Sequence, residues 1–587
     1  MSQEISRFSP WFAAIASALV LAGCGGGGGS GGTTPPGSGN PPPGNGGTTI
    51  TVSGRITFDR LPYQTTLGNG LNPSAPVISP AREVVVEAVT GSNVVSTTTD
   101  SNGNYSLSVP ASSTSLIRVR AQMLKQGTAP TWNFIVKNNT NSDAVYVLQG
   151  DSFATGTANI TRDLHAPSGW TGTTYNDAQR SAAPFAILDT IYRTKQLILS
   201  AQPAAVFPAL DLFWSTKNRD VTNSLCPDTG DLGTSFYFSD PNNNVNDECS
   251  QPAPLPTGIY ILGEYRGSNN GDTDEFDAHV IAHEFGHYFE DRFSRSDSIG
   301  QDHGIGDKLD LRVAFGEGWG NAFSGMSLGD PQYRDSRDGI SSDFGFNIEN
   351  DSNVNEGWFS EASVAEILWD IFDTTAEPGD NVTLGFAPIY AVMNDEQVST
   401  DAFTSIFSFA SALRADNSAQ SSAVRDLLQG EQISGTNAFG SGESNGSNDA
   451  GFTDVYTDIT LGSPVTGLCS TTNAGGKVGG NKLGNRRFLR FVKSAPGTVT
   501  IRADGVASGS VPGSGAAVDP DIFVYQRGAP VGSGTSTDDR LELISGLQLA
   551  AGTHVIEVYA FEVINEDPDQ GPVVSTPRCL NLSISGT

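Results

Sequence analysis

Three of the chain's six histidines stand at four-residue steps in one short stretch, "HVIAHEFGHYFE" (279–290). Residues four apart on a helix lie one above the other, so two such imidazoles can converge on one metal ion. His283, Glu284 and His287 form the H-E-x-x-H pattern, in which two histidines bind zinc and the glutamate is a general base. The competing interpretation is that they are ordinary packed helix histidines, and random sequences of this length contain the pattern in well under about 1% of cases.

The third ligand has to come from elsewhere in the chain. His279 lies eight residues before His287, about 12 Å along a helix, too far to share one ion with bonds of about 2 Å. The position six residues after His287, where a metzincin has its third histidine, is Phe293. A carboxylate is the other option, and Glu317 supplies one between glycines in "RVAFGEGWGNAFSGM" (312–326). The alternative is that Glu317 is only a capped or solvated helix residue.

These two segments carry a family resemblance. "HEFGH", followed thirty residues later by "GEGWG", resembles the gluzincin zinc peptidases, most of all the fungalysin and thermolysin types. The resemblance implies an α+β thermolysin-like zinc peptidase domain over residues 165–460. It also implies that His283, His287 and Glu317 bind zinc, that Glu284 is the general base, and that the substrate is a polypeptide cut by endopeptidase action.

The chain departs from the family pattern at two places. An aspartate usually follows the glutamate ligand by four residues and orients a zinc histidine, but this chain has Asn321. The family's later histidine, which stabilises the oxyanion before a helix such as "SEASVAEILWDIFD" (360–373), is also missing, and Trp358 stands nearby. His303, Tyr333 and Tyr390 are the candidates for that role.

The elements that must position these residues can be predicted from periodicity and caps. Asp272 with Glu275 three residues later has the capping-box spacing that predicts the start of the histidine helix. Apolar spacing predicts another helix over 183–199. Before the histidine helix, "TSFYF" and "GIYILGEY" are short strands, and either could be the edge strand along which an extended substrate binds.

Two further regions have the alternation of strands. Residues 50–150 resemble the carboxypeptidase regulatory-like β-sandwich, and Asn102-Gly103 predicts a hairpin turn within it. Residues 465–587 resemble the pre-peptidase C-terminal β-sandwich, and a generic sandwich is the alternative. The predicted fold class is therefore multidomain, with an α+β peptidase domain flanked by two all-β sandwich domains.

The first residues predict export. Residues 1–23 read as a signal peptide, and the ending "LAGC" resembles the bacterial lipoprotein signal, in which Cys24 is acylated. Residues 24–49 are a Gly/Pro/Ser-rich linker that cannot bury a core. We expect a chain anchored by lipid to a bacterial membrane, at the outer membrane or cell surface. An ordinary secretory signal with an incidental cysteine is the alternative.

The cysteine count agrees with acylation of Cys24. Five cysteines are present, and removing Cys24 leaves four that an exported chain can pair. We predict Cys226 with Cys249 and Cys469 with Cys579, one of three possible pairings.

The net charge of the chain limits the classes of binding partner that it can have. A net charge of −31 argues against nucleic acid and anionic membrane surfaces. The acidic loops "DPNNNVNDE" and "NIENDSNVNE" could bind calcium, although solvated loops are the simpler interpretation. No pattern indicates an oligomeric state.

Two other functions are compatible with the same residues. One is a surface binding or adhesion protein in which a peptidase fold survives without turnover, as the missing histidine would allow. The other is an aminopeptidase, but the G-x-M-E-N segment that grips the substrate amine in those enzymes is absent from the chain.

Overall fold

The computed structural model describes residues 48–221, 225–239, 255–267, 271–349, 355–374, 380–443, 454–471, 480–506, 518–537, 540–564 and 577–586. The predicted signal segment, Cys24, nearly all of the predicted linker and Cys249 lie outside these residues. The acidic loop 240–248 also lies outside them, and the acidic loop 347–356 is described only in part. None of the described helices is long and apolar enough to cross a membrane.

The amino-terminal region is a set of strands in two sheets. Along β5 (Asn104–Pro110), buried and exposed side chains alternate, as expected for a strand with one face on a core. The smaller sheet is built around β1, which pairs with β2, β5, β11 and β12. The strands of this region are β1 Thr49–Arg60, β2 Val77–Pro80, β3 Val84–Thr90, β4 Asn93–Thr98, β5 Asn104–Pro110, β6 Thr114–Lys125, β7 Trp132–Asn138, β8 Ala144–Val145, β9 Val147–Gln149, β10 Phe153–Ala154, β11 Ile160–Thr161 and β12 Leu164–Ala166.

The larger sheet continues past the predicted domain boundary at residues 150–165. Three later strands, β13 (Leu210–Trp214), β14 (Phe236–Phe238) and β15 (Gly258–Ile261), join it in the order β14-β15-β13-β7-β6-β3-β4. The junction is the parallel pair β7–β13, with Phe134 opposite Leu210. Residues 50–150 are therefore not separated from the histidine helix as a domain of their own, because one sheet contains strands from both regions.

The predicted hairpin at Asn102-Gly103 is wrong in its pairing. The chain does turn there, and Gly103 has a φ of +80°. However, β4 pairs with β3 in the larger sheet, whereas β5 pairs with β1 in the smaller one. The turn thus passes the chain between sheets. A side chain at Gly103 would meet the Ile56 carbonyl oxygen at 2.5 Å, so the close approach requires glycine.

Most of the described helices come after the strands of the larger sheet in the chain. The histidine helix, α2, begins at Ala278 and not near Asp272 as the capping-box spacing predicts. Glu275 instead forms a buried ion pair with Arg180 and accepts a hydrogen bond from the Trp214 indole, so it is not available as a cap. The described helices are α1 Ala183–Ala201, α2 Ala278–Phe293, α3 Leu311–Leu328, α4 Glu361–Phe372, α5 Phe386–Asn394, α6 Glu396–Ser399, α7 Ile406–Asp416, α8 Ser421–Gly430 and α9 Phe561–Ile564.

Between α3 and α4 the chain forms a two-stranded hairpin, β16 (Gln332–Arg337) with β17 (Ser342–Asn347). The helices α2, α3 and α4 pack side by side, and small residues allow it. A Cβ on Gly286 of α2 would lie 3.1 Å from the Gly320 Cα of α3, and one on Gly318 would lie 2.5 Å from the Val364 side chain of α4. One continuous hydrophobic core includes these helices and the amino-terminal strands.

A β-sandwich follows, as the sequence predicts, although its first strand begins at Tyr456, before the predicted residue 465. One sheet has the order β18-β20-β25-β22-β23 and the other β19-β26-β21-β24. Its strands are β18 Tyr456–Ile459, β19 Val465–Ser470, β20 Arg487–Lys493, β21 Gly497–Gly505, β22 Pro520–Gln526, β23 Ala529–Gly534, β24 Leu541–Leu549, β25 Gly552–Ala560 and β26 Arg578–Gly586. The chain is thus multidomain, with large sandwich regions and a helical segment between them.

The predicted disulfide between Cys469 and Cys579 is present and joins the neighbouring strands β19 and β26. Cys226 is also disulfide-bonded. Its predicted partner, Cys249, is one of the residues outside the described part of the chain.

Candidate metal centre

The two motif histidines and Glu317 meet at the contact between α2 and α3. His283 and His287 stand one turn apart on α2, and their Nε2 atoms are 3.1 Å from each other. The Glu317 Oε2 atom, from α3, lies 3.2 Å from the His283 Nε2 atom and 3.5 Å from the His287 Nε2 atom. The three potential ligand atoms therefore form a small, nearly equilateral triangle.

The size of that triangle fits a zinc ion. Bonds of 2.0 to 2.1 Å at tetrahedral angles place neighbouring ligand atoms about 3.3 to 3.4 Å apart. Two histidines and one glutamate are a ligand set of catalytic zinc sites, which leave the fourth position for water or substrate. His283, His287 and Glu317 thus match zinc both in chemistry and in spacing.

Charge balance also favours a cation here. Burial opposes ionisation of Glu317, but the positive charges of His303 and His287 outweigh it and hold the pKa of the carboxyl well below its ordinary value. Burial likewise opposes charge on His287, yet Glu317 and Glu290 raise its pKa well above the ordinary value. A bound dication would supply the positive charge that the two imidazoles supply here.

The outer nitrogens of both motif histidines have oxygen partners. The His283 Nδ1 atom lies 2.9 Å from the Asn321 Oδ1 atom, so Asn321 occupies the orienting position that the family pattern predicts for it. The His287 Nδ1 atom lies 3.4 Å from Glu290 Oε2. Glu290 was not among the predicted site residues, although an acid three residues after a helix histidine shares its face.

A second missed residue is Glu361, at the start of α4. Its Oε2 atom accepts a hydrogen bond from the Asn321 Nδ2 atom at 3.4 Å and lies 4.0 Å from the His303 Nε2 atom. Glu361 is 3% exposed, and burial raises its pKa. Forty residues separate it from Asn321, and nothing in the sequence indicates that α4 meets α3 at this point.

Glu284 lies beside the histidines on α2 and is 8% exposed. Its Oε2 atom accepts a hydrogen bond of 2.7 Å from the Tyr237 backbone nitrogen of β14. Burial raises the pKa of the Glu284 carboxyl, although His283 and His287 act in the opposite direction. The residue therefore combines a fixed orientation with a raised affinity for protons, as a general base requires.

His303 is the transition-state candidate that lies at the centre. Its Nε2 atom is 3.1 Å from the Glu317 Oε2 atom, and its Nδ1 atom is 3.1 Å from the Gln301 carbonyl oxygen. Both ring nitrogens face acceptors, so both donate when the ring is doubly protonated. Burial would lower the pKa of His303, but Glu317 and Glu361 outweigh it and raise the pKa to about 10.

The other candidates lie farther away. The Tyr333 ring is 6.3 Å from the His283 ring and stacks on Phe346, so it forms part of the wall. Tyr390 is packed in the hydrophobic core 5.8 Å from the Phe289 ring, which does not place it at the metal centre.

His279 is a packed histidine, as predicted from helix rise. Its Nδ1 atom lies 3.0 Å from Ser324 Oγ, and its ring lies 5.3 Å from the Tyr333 ring. Burial lowers its pKa to about 4, so the ring is neutral. Within the described part of the chain, His279 belongs to none of the groups that could hold a metal ion.

The two strands proposed for substrate binding differ in position. β15, from "GIYILGEY", lies between β13 and β14 and has both edges paired, so it cannot accept a substrate strand. Among the strands that the structure describes, β14, from "TSFYF", stands at the end of the sheet, next to α2. The structure thus leaves "TSFYF" as the edge-strand candidate.

Acidic residues form a second group at the start of α2. Carboxylate oxygens of Asp272, Asp274, Asp277 and Asp335 all lie within 4.8 Å of one another. Burial, followed by the charge of Asp335, raises the pKa of Asp277 to about 8. This group is separate from the two acidic loops that the sequence suggested for calcium.

Comparison with known proteins points to peptidases. Residues 260–429 match the family described as the Mycolysin C-terminal domain. Mycolysin is a metalloprotease, and the matched segment contains α2, α3 and α4 with the three potential zinc ligands.

The similarities to solved structures are weak. One is the pre-peptidase C-terminal domain of a collagenase from Bacillus anthracis, at 10% identity and a TM-score of 0.15, covering 22% of this chain and 94% of that one. Another is a candidate carbohydrate binding protein from Pseudomonas aeruginosa, at 10% identity and a TM-score of 0.13, covering 21% of this chain and 90% of that one. These TM-scores are too low to establish a shared fold, and no curated protein matches the chain. The segment that carries the histidine helix is thus similar to a domain of metalloproteases, whose activity requires a metal ion, typically zinc.

Proposed function

We propose that the chain is a zinc-dependent endopeptidase that hydrolyses peptide bonds of extracellular or periplasmic proteins, with a thermolysin-like arrangement of its central domain. The observation that carries this proposal is the triangle of His283, His287 and Glu317, with the Glu284 carboxylate beside it. The match to a metalloprotease family over the same helices supports it.

The residues around the triangle have distinct roles in this proposal. When bound, zinc supplies Lewis-acid chemistry, which polarises a carbonyl group and acidifies water. Glu284 takes a proton from the attacking water and delivers it to the leaving amine. The Tyr237 backbone N–H holds the Glu284 carboxylate in place, and Asn321 and Glu290 orient the two histidines.

His303 is our choice for stabilising the negative charge that develops on the substrate oxygen. The histidine that the family resemblance leads us to expect is absent, and Trp358, which stands near its place in the sequence, is buried in contact with Phe359 and Phe407. His303 reaches the metal centre from the segment between α2 and α3, and its Nε2 atom lies 3.1 Å from the Glu317 Oε2 atom. Preorganised donors aimed at the charge that develops in the transition state usually make the largest single contribution to catalysis.

Digestion of casein with and without a zinc chelator tests the proposed activity. The native chain should cleave casein, lose activity when the chelator removes zinc, and recover it when one equivalent of zinc is returned. Cleavage that continues unchanged in the metal-free protein would contradict the proposal.

Two simpler measurements separate the alternative functions. A peptide blocked at its amino terminus should still be cut internally, whereas an aminopeptidase would leave it intact. A purified chain that binds one zinc but cleaves no denatured protein would favour the binding or adhesion protein.

We also propose that the chain is exported and attached to a bacterial membrane through lipid on Cys24. The support is the signal-like sequence of residues 1–23 and the Gly/Pro/Ser-rich composition of the linker after it. Replacing Cys24 with serine should release the protein from the membrane fraction, and a variant that remained there would contradict lipid attachment.

A further inference from the structure

The loop that carries His303 has little structure of its own. This His303 loop (residues 294–310) joins α2 to α3 and contains neither helix nor strand. Gln301, two residues before the histidine, has a φ of +77°, a left-handed conformation that side-chain-bearing residues rarely adopt. Such backbone persists only when its surroundings hold it.

Side chains of the carboxyl-terminal sandwich hold this loop. Asn481, in the connection between β19 and β20, is fully buried, and its Nδ2 atom donates to the carbonyl oxygens of Gly300 at 2.9 Å and Asp302 at 3.1 Å. The Lys482 ammonium donates to the same Asp302 carbonyl at 2.6 Å and lies 3.3 Å from the Asp307 carboxylate. Three of the four contacts fall on the two residues that flank Gln301, just before His303.

The backbone adds two more links. The Asp310 nitrogen donates to the Asn481 carbonyl at 2.7 Å, and the Leu483 nitrogen donates to the Lys308 carbonyl at 2.9 Å. These bonds join the end of the His303 loop to the sandwich immediately before α3, the helix that carries Glu317.

Buried charges anchor the sandwich at the same helix. Arg312, in the first turn of α3, forms an ion pair with Glu557 of β25 at 2.9 Å and another with its own cap, Asp310, at 2.9 Å. Arg486 pairs with the opposite side of Glu557. The sandwich therefore contacts both the loop with His303 and the helix with Glu317 through a buried, charged interface.

We propose that the carboxyl-terminal sandwich positions His303: Asn481 and Lys482 hold the His303 loop so that the imidazole stays against Glu317 at the metal centre. The sandwich is then a working part of the site, and Asn481 and Lys482 are positioning residues that act through His303. The catalytic consequence rests on the proposed peptidase function, whereas the positioning itself does not.

A double-mutant cycle tests the proposal in the full chain. Asn481→Ala should lower kcat by about 10- to 100-fold, because a displaced catalytic group costs a factor of that size. KM and zinc content should stay native, because no ligand is touched. In a His303→Ala background, Asn481→Ala should have no further effect beyond about twofold, since the two residues act as one unit.

Hydrogen exchange supplies a readout that needs no activity. Amides of residues 299–310 should exchange faster in Asn481→Ala than in the native chain, while those of α2 stay protected. If the native chain cleaves no peptide, the proposed function fails, and the exchange result still decides whether the sandwich positions the loop.

Three further variants test whether misfolding is the cause. Lys482→Met keeps the aliphatic stem and should loosen the same amides, while Lys482→Arg should restore both protection and rate. Arg490→Ala, which removes an exposed ion pair with Asp458 in the same sandwich, should leave both unchanged. Unchanged exchange in Asn481→Ala and Lys482→Met, or a loss of rate that persists in the His303→Ala background, would overturn the proposal.

Discussion

Asn321 contacts two neighbours that require different hydrogen-bonding partners, an imidazole and a carboxylate. Its amide oxygen faces the His283 imidazole, and its amide nitrogen faces the Glu361 carboxylate. An aspartate, the residue of the family pattern, would accept from the histidine but would place a second negative charge against buried Glu361. Glu361, on α4, therefore gives a physical reason for an asparagine at position 321, and the sequence does not reveal this contact.

Asn321→Asp should weaken zinc binding by about 10- to 100-fold, the range found when a residue that supports a metal ligand is lost. The reason is that repulsion from Glu361 moves the new carboxylate away from His283, so the imidazole loses its orienting partner. Competition with a fluorescent zinc chelator measures the affinity.

The double variant Asn321→Asp with Glu361→Gln supplies the control. The side-chain amide introduced at position 361 can donate to the carboxylate introduced at position 321, so zinc affinity should return to within a few-fold of native. If Asn321→Asp alone binds zinc as well as the native chain, the two-sided role of Asn321 is wrong.

Gly320 and Gly316 form a matched pair on α3. A Cβ on Gly320 would lie 2.7 Å from the His283 ring, whereas the nearest atom to one on Gly316 is at an ordinary 3.4 Å. Gly320→Ala should lower the free energy of unfolding by about 1 to 3 kcal/mol, because the added methyl group overpacks this contact. It should also weaken zinc binding. Gly316→Ala should leave the free energy of unfolding unchanged or raise it by up to about 1 kcal/mol, because alanine has the higher helix propensity. Denaturant unfolding of both variants measures this, and equal effects would contradict the close approach.

Individual elements were predictable where their signals are local. The i, i+4 spacing correctly places His283 and His287 on one helical face, and helix rise correctly separates His279 from them. The start of α2 was not predictable from Asp272 and Glu275, because Glu275 is recruited by a buried arginine that lies about a hundred residues away.

Buried Glu557 makes the attachment of the sandwich to α3 sensitive to acid. Burial alone would raise its pKa, but Arg312 and Arg486 outweigh it and lower the pKa to about 2. Asp310, Tyr525 and Tyr559 are also ionisable, and each interacts with at least one charged group of this cluster. Because the folded state binds the proton more weakly than the unfolded state, the stabilisation is complete above about pH 4.5 and is lost as the pH falls toward 2.

Glu557→Gln should therefore lower the free energy of unfolding by about 3 to 5 kcal/mol at pH 7, since it leaves buried arginines without their partner. Its deficit relative to the native chain should shrink as the pH falls from about 4.5 to 2. Denaturant unfolding at several pH values measures both. A deficit that stays constant over this range would show that the charge of Glu557 does not link the sandwich to α3.

On the scale of the whole molecule, the carboxyl-terminal sandwich was predictable because its strands alternate and pair among themselves. The amino-terminal boundary was not, because the pairing of β7 with β13 is a contact across more than seventy residues that no local pattern signals. The sequence of residues 50–150 resembles a separate domain. In the structure, however, one sheet extends from that region to the strands beside the metal centre.

That continuity predicts cooperative unfolding. The strands before residue 150 and those beside α2 share a sheet and a core, so calorimetry should show them melting in one transition. Hydrogen exchange should show β6 and β15 losing protection together. A separate transition at lower temperature, confined to residues 49–166, would contradict the claim that the shared sheet makes the two regions unfold together.

The central claim is that His283, His287 and Glu317 hold zinc while Glu284 performs the proton transfer. The most direct test is the rate of peptide cleavage by Glu284→Gln, measured together with its zinc content. We predict that the variant binds one zinc and cleaves at least about 100-fold more slowly than the native chain. A variant that binds zinc and cleaves at the native rate would contradict this assignment.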